Sequence, residues 1–66
     1  MQNIKLYRKR LKMTQQHLAD LLVCDRTTIS KWENGSSEPS KYMMTRIAEV
    51  LDCRVEDLIE SKEVQK

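Results

Sequence analysis

At 66 residues the chain has room for one domain, and a domain of this size buries only ~60% of the surface its unfolded chain exposes, so every apolar helix face must be used. A hydrophobic fraction of 39% beside 33% charge excludes a disordered chain; one glycine (Gly35), one proline (Pro39) and no phenylalanine exclude a sheet protein, which needs turn residues and aromatics repeatedly. The net charge of +2 excludes a polycation, but its distribution is uneven: seven basic residues against two acids through Lys31, and five against eight from Trp32 onward, so one end suits a polyanion.

The expected class is all-α, since Leu, Met, Lys, Arg, Glu and Gln dominate. No stretch approaches the ~20 apolar residues of a membrane span, and no ~7–15-residue apolar core of a signal peptide follows the first charges. The expectation is a cytoplasmic protein without membrane attachment, its two thiols reduced. Cys24, Cys53 and His17 are too scattered for a zinc motif, so no metal or other cofactor is expected, and the cysteines read as small core hydrophobes.

Five helices are predicted. The first runs from about Asn3 to Leu11, with Ile4, Tyr7 and Leu11 at helical spacing, and breaks at Lys12-Met13. Thr14 is the N-cap of a second helix, Gln15 to about Val23, which buries Leu18, Ala19 and Leu22; His17 at its third position leaves a capping box incomplete. Asp25 caps a third helix that stops at Asn34-Gly35. After the loop Ser36 to Pro39, Ser40 caps a fourth helix to about Leu51, with Met43, Met44, Ile47, Ala48 and Leu51 on one face. A fifth, Val55 to about Ser61, buries Val55, Leu58 and Ile59 and carries Glu56 and Asp57 in its first turn, where the helix dipole favours acids. The domain is expected to span residues 1–61, with a polar tail over 62–66.

The third helix carries the function. With Arg26 at zero and about 100° per residue, Ser30 falls at about 40°, Asn34 at about 80°, Thr27 at about 100° and Lys31 at about 140°. Thr28, Trp32 and Ile29 fall at about 200° to 300°, on an anchoring face. An uninterrupted row of hydrogen-bonding side chains on one helix face suits the major groove, about 12 Å wide, where Arg and Lys address guanine and Thr a base edge or a thymine methyl. A surface helix exposed only to water also looks polar outside, though it commonly carries Glu–Lys pairs that this face lacks. Ala19, ten residues before Ile29, permits a close helix crossing, and the short link Val23 to Asp25 suits a helix-turn-helix. Gln15, at a helix start with free N–H groups, suits a phosphate clamp; Gln16 either assists or is merely solvated. Glu33, beside the anchoring face, needs a cation, and Arg8 on the first helix is expected to supply a bidentate partner.

These residues resemble the Xre-like helix-turn-helix family, which includes phage Cro proteins and lambda-type repressors. The resemblance covers about Ile4 to Ile59: Arg8, Met13-Thr14-Gln15, Leu18-Ala19-Asp20-Leu21-Leu22, Thr28-Ile29-Ser30-Lys31-Trp32-Glu33-Asn34-Gly35, Pro39-Ser40, Ile47-Ala48, Leu51 and Glu56-Asp57-Leu58. It implies a compact five-helix, lambda-repressor-like domain that binds double-stranded DNA and controls transcription. Arg26, Thr27 and Lys31 then face bases, joined by Ser30 from the helix geometry. Phosphate contacts are expected from Gln15, Gln16, Thr28, Asn34 and Lys41, the last equally readable as a solvated lysine. The chain departs from the family at Val23, where glycine is usual and a β-branched residue would be strained at positive φ. Asp52 and Arg54 replace a usual Gly and Ser, and Cys24 and Cys53 stand where valine is common.

The expected function is a transcriptional repressor binding an inverted repeat as a homodimer, at least on DNA. Its dimer surface would be Val50, Val55, Ile59 and Val64; Val55 and Ile59 serve equally well to close the core. An antitoxin or protein-binding adaptor using the same fold is the alternative. With one histidine, no Gly-rich phosphate loop and no metal motif, an enzyme is not expected, and no small-molecule ligand is evident.

Overall fold

A computed structural model of the chain describes residues 3–59. Among them lie five α-helices: α1 Ile4–Arg10, α2 Gln15–Leu22, α3 Arg26–Asn34, α4 Lys41–Val50 and α5 Val55–Leu58. The all-α class and the five-helix order are those expected from the sequence.

Two helix starts follow the predicted chemistry. Thr14 Oγ1 accepts a hydrogen bond from the His17 backbone N–H at 2.9 Å, and Ser40 Oγ accepts one from Met43 N–H at 3.1 Å. Each satisfies a donor that the first turn leaves without an intrahelical partner. Asp25 departs from expectation. Its backbone is extended (φ −83°, ψ 148°) and its carbonyl accepts from Thr28 and Ile29, but its carboxylate makes no capping bond. At α5 the Arg54 N–H donates to Asp57 Oδ2 at 3.1 Å, so an acid predicted to serve the helix dipole also closes the first turn.

The four longer helices end alike. After α1, Met13 N–H reaches back to Arg8 O (3.1 Å) and Lys12 N–H to Lys9 O (2.9 Å). The same paired bonds recur at Cys24–Ala19 and Val23–Asp20, at Ser36–Lys31 and Gly35–Trp32, and at Cys53–Ala48 and Asp52–Glu49. This nested pair is the Schellman motif, and it requires a left-handed residue just past the helix. With a single glycine in the chain, the other three positions fall to Lys12 (φ 59°), Val23 (φ 57°) and Asp52 (φ 57°). The turn at Val23 therefore keeps the left-handed geometry that glycine would give it, and strain is the consequence. The left-handed well costs an L-residue roughly 1–2 kcal/mol, and glycine's extra freedom in the unfolded chain returns about 0.5–1 kcal/mol of that. Val23 is 84% exposed, so little packing is lost with its side chain. Val23→Gly is expected to stabilise the fold by about 0.5–1 kcal/mol, read as a shift in urea midpoint at constant slope; an unchanged or lower midpoint would show that the valine is not strained.

The core gathers one stripe from each helix: Ile4; Leu18, Ala19 and Leu22; Ile29 and Trp32; Ile47, Ala48 and the adjacent Leu51; and Leu58. Met43 and Met44 pack against it half-buried, as do Tyr7, Cys24, Cys53 and Val55. Two predicted stripe members lie elsewhere. Leu11 is 44% exposed, because α1 already ends at Arg10 and the turn at Lys12 begins there. Ile59 is 51% exposed. Helix α5 stops at Leu58, where Asn3 N–H takes the Leu58 carbonyl (2.7 Å) and Asn3 Nδ2 takes the Asp57 carbonyl (3.1 Å). Ile59 is then extended (φ −80°, ψ 120°) and no longer shares a helical face with Val55. Helix α5 therefore ends short of the expected Ser61; the tail over 62–66 and Val64 lie outside the described residues.

Candidate nucleic-acid interface

Helix α3 presents two faces. Ile29 and Trp32 are buried against α2 and the rest of the core, with Ala19 fully buried at the crossing. Arg26, Thr27, Lys31 and Asn34 are exposed, and Ser30 is half-buried between the two sides. Thr28 is half-buried as well. Asn34 is committed locally, since its Oδ1 accepts from the Ser36 N–H at 2.9 Å and so supports the helix stop.

Behind this helix a polar network is closed. Arg8 Nε donates to Glu33 Oε2 at 2.7 Å and Arg8 Nη2 to Glu33 Oε1 at 3.1 Å, a bidentate ion pair joining α1 to α3. Arg8 Nη1 donates to the Met13 carbonyl at 2.7 Å, in the turn that leads into α2. The side chains of the pair are only 8% and 4% exposed. A buried charge pair of this kind stays stable only when its remaining polar atoms are also bonded. A fourth participant was not foreseen: Gln15 Nε2 donates to Glu33 Oε1 at 3.0 Å. Residues 15 and 33 lie on different helices, so no periodicity or spacing could have paired them. Gln16 is used differently, its Nε2 donating to Asp20 Oδ1 one turn along the same helix at 2.9 Å.

The helix starts show a pattern. Helices α1, α2, α3 and α4 open on Ile4, Gln15, Arg26 and Lys41, and none has an acid in its first turn; α5 has Glu56 and Asp57 there. The dipole favours acids at a helix start by about 0.3–1 kcal/mol, so four starts forgo stability that α5 takes. Lys41 is exposed at the first position of α4, beyond the loop that follows α3.

The cysteines take no part in this surface. Both are half-buried against the core. Burial pushes the Cys24 thiol up, with Asp25 adding to the effect. Burial likewise raises Cys53, reinforced by Asp57 and Asp52 and opposed by Arg10. A raised value leaves less thiolate at a given pH, and thiolate is the nucleophile. Both thiols are therefore expected to react with iodoacetamide at pH 8 more slowly than free cysteine and to reach its rate only in denaturant; mass spectra over a time course would show it, and equal rates in the folded chain would refute it.

The fold is that of a known family. A family model described as "Helix-turn-helix" matches residues 4–58. The uncharacterized HTH-type transcriptional regulator YqaE of Bacillus subtilis is 34% identical over 65 residues, 98% of this chain and 56% of that protein. The HTH-type transcriptional regulator DicA of Escherichia coli is 38% identical over 52 residues, 79% of this chain and 38% of its own length. The HTH-type transcriptional activator BcrR of Enterococcus faecalis is 33% identical over 52 residues, 79% of this chain and 26% of BcrR. The chain thus spans about half, or less, of each of these three relatives.

Proposed function

Since this chain belongs to the helix-turn-helix family, we propose that it is a transcriptional regulator that binds double-stranded DNA by laying α3 in the major groove. One observation carries the proposal: Arg26, Thr27 and Lys31 are exposed on a helix whose opposite face is buried and tied down by the Arg8–Glu33 pair. In this reading Arg26, Thr27, Ser30 and Lys31 face base edges. Gln15, Gln16, Thr28, Asn34 and Lys41 lie toward the phosphates and set the register. Gln15 and Lys41 are the strongest of these, as polar side chains at helix starts free of acids. Asn34 contributes through the loop it orders.

The regulatory role we propose is repression. Occupying a promoter excludes other proteins from it and asks nothing beyond tight, specific binding. A two-fold operator follows if the chain dimerises, with half-sites about one helical turn, ~34 Å, apart. The exposed Ile59 and half-buried Val50 and Val55 support a dimer surface at α5 and the end of α4. Val55 and Ile59 also line an open groove of about 610 Å³ with Trp32, Pro39 and Met44, so a partner seated there would rest against the back of α3. None of the described helices is long and apolar enough to cross a membrane.

Selecting bound fragments from random-sequence DNA, with a salt series to separate non-specific affinity, tests the proposal directly. A recovered inverted repeat with half-sites one turn apart is expected. Recovery of no preferred sequence would overturn sequence-specific binding. Sedimentation at high micromolar concentration without DNA tests the surface at Ile59, and a monomer there would rule out a preformed dimer.

A further inference from the structure

Glu33 is already bonded twice by Arg8, yet Gln15 Nε2 also donates to it, at 3.0 Å to the same Oε1 that receives Arg8 Nη2. We infer that Glu33 is a positioning residue for DNA binding, which holds the Gln15 side-chain amide in one orientation so that its second N–H is ready for a phosphate. This deepens the proposed phosphate contact of Gln15 and rests on it.

The reasoning is chemical. A primary amide has a donor end and an acceptor end, and only the donor end can bond a phosphate oxygen. On a free glutamine the two ends exchange by rotation, and three side-chain torsions must also be ordered on binding, each at a cost in entropy. An ionised carboxylate accepts hydrogen bonds and cannot donate them. Facing Glu33, the amide is therefore compelled to present its NH2, and rotating the carbonyl into that place would set oxygen against oxygen. One N–H is spent on Glu33 and the other remains. Glu33 itself cannot swing to follow, because Arg8 grips both of its oxygens and is held in turn by the Met13 carbonyl at 2.7 Å. The carboxylate is 4% exposed, so its negative charge is compensated by the guanidinium rather than turned toward solvent, where it would oppose a phosphate. Gln15 opens α2, with no acid in its first turn, so an anion held there meets the positive end of the helix as well. Glu33 thus ties the start of α2 to the last turn of α3, and an amide on one helix is set by a charge pair that anchors the other.

A thermodynamic cycle separates positioning from simple support. Binding of the full chain to a mixed-sequence duplex of about 20 base pairs, roughly two helical turns, suits the test because a phosphate contact does not depend on sequence. Gln15→Ala, Glu33→Gln and the double variant are compared at concentrations where circular dichroism shows each to be folded. Gln15→Ala is expected to weaken binding about 10-fold or more, as for the loss of one charged hydrogen bond. Glu33→Gln is expected to weaken it by at least half that factor in the parent chain and to have no further effect in the Gln15→Ala background. Equal effects of Glu33→Gln in both backgrounds would overturn the inference and leave Glu33 a supporting residue only. If Gln15→Ala binds as tightly as the parent, the phosphate contact of Gln15 is itself wrong and the inference falls with it. Should Glu33→Gln not fold, the side-chain amide of Gln15 in the unaltered chain is followed by NMR as the duplex is added. One of its two N–H resonances is expected to shift while the other, held by Glu33, stays; joint movement or none overturns the inference.

Discussion

Arg8→Ala is expected to unfold most of the chain at 25 °C. Its guanidinium, 7% exposed as a residue, makes three bonds: two to Glu33 and one to the Met13 carbonyl. Truncation removes all three and leaves the Glu33 carboxylate buried with only the neutral amide of Gln15 as a partner. Breaking a buried pair in this way costs about 3–5 kcal/mol, because the surviving charge keeps its desolvation penalty and loses its compensation. Below ~70–80 residues a single core rarely supplies more than about 3–5 kcal/mol in total, so the loss is comparable with the whole stability. Urea melts followed by far-ultraviolet circular dichroism measure it. A loss below about 1 kcal/mol would mean that the pair behaves as an exposed one. Replacing both partners, Arg8→Met with Glu33→Leu, should restore most of the stability, since an apolar pair of similar volume leaves no charge stranded. Restored folding in that variant, with DNA binding still weakened, would separate the pair's contribution to the fold from its orientation of Gln15.

The second large effect has the opposite character. Arg26→Ala is expected to weaken binding to the selected operator by about 1–3 kcal/mol, or about 5- to 150-fold, and to relax the preference at one base position. Stability should not fall with it. Arg26 is exposed at the first position of α3, where the helix dipole disfavours a cation, and alanine is the better helix former. A few tenths of a kcal/mol of added stability is therefore expected, on the order of the exposed dipole effect. Loss of affinity with unchanged or raised stability identifies a residue retained for what it binds. Unaltered affinity for the operator would remove Arg26 from the base-reading set and leave Thr27, Ser30 and Lys31 to carry it.

Between them these two residues mark how the molecule divides its work. Arg8 is buried and ties α1 to α3 through Glu33, whereas Arg26 is exposed at the first position of α3 and is no part of the core. At the helix starts, α5 takes Asp57 as both dipole partner and cap, while α1 to α4 have no acid in the first turn.

Much of this was legible in the sequence. Thr14 and Ser40 announce helix starts because a cap is a bond across three residues, and Gly35 announces a stop because a left-handed position favours glycine. Helical spacing identified Leu18, Ala19, Leu22, Ile29, Trp32 and Ile47 as core, and the exposed row on α3 is the complement of that stripe. The charge of Glu33 beside a buried face was enough to expect a cation, and Arg8 was within the chemistry available. These features are local or periodic, so neighbours along the chain determine them.

Only the tertiary structure decided the rest, and in each case contacts between distant residues override local preference. Val23 adopts a left-handed conformation that its own side chain resists, because the packing of α2 on α3 requires the turn. Ile59 leaves the helical face that its spacing predicts, because Asn3, at the other end of the described chain, takes the carbonyls of Asp57 and Leu58. Gln15 meets Glu33 across the angle between two helices, and that angle is set by the core rather than by either segment. The sequence by itself thus determined which helix sets a row of polar side chains opposite its buried face, and which of its faces is free. How firmly that helix is held, and how the Gln15 amide is oriented beside it, depends on a charge pair and an amide that meet only once the chain has folded.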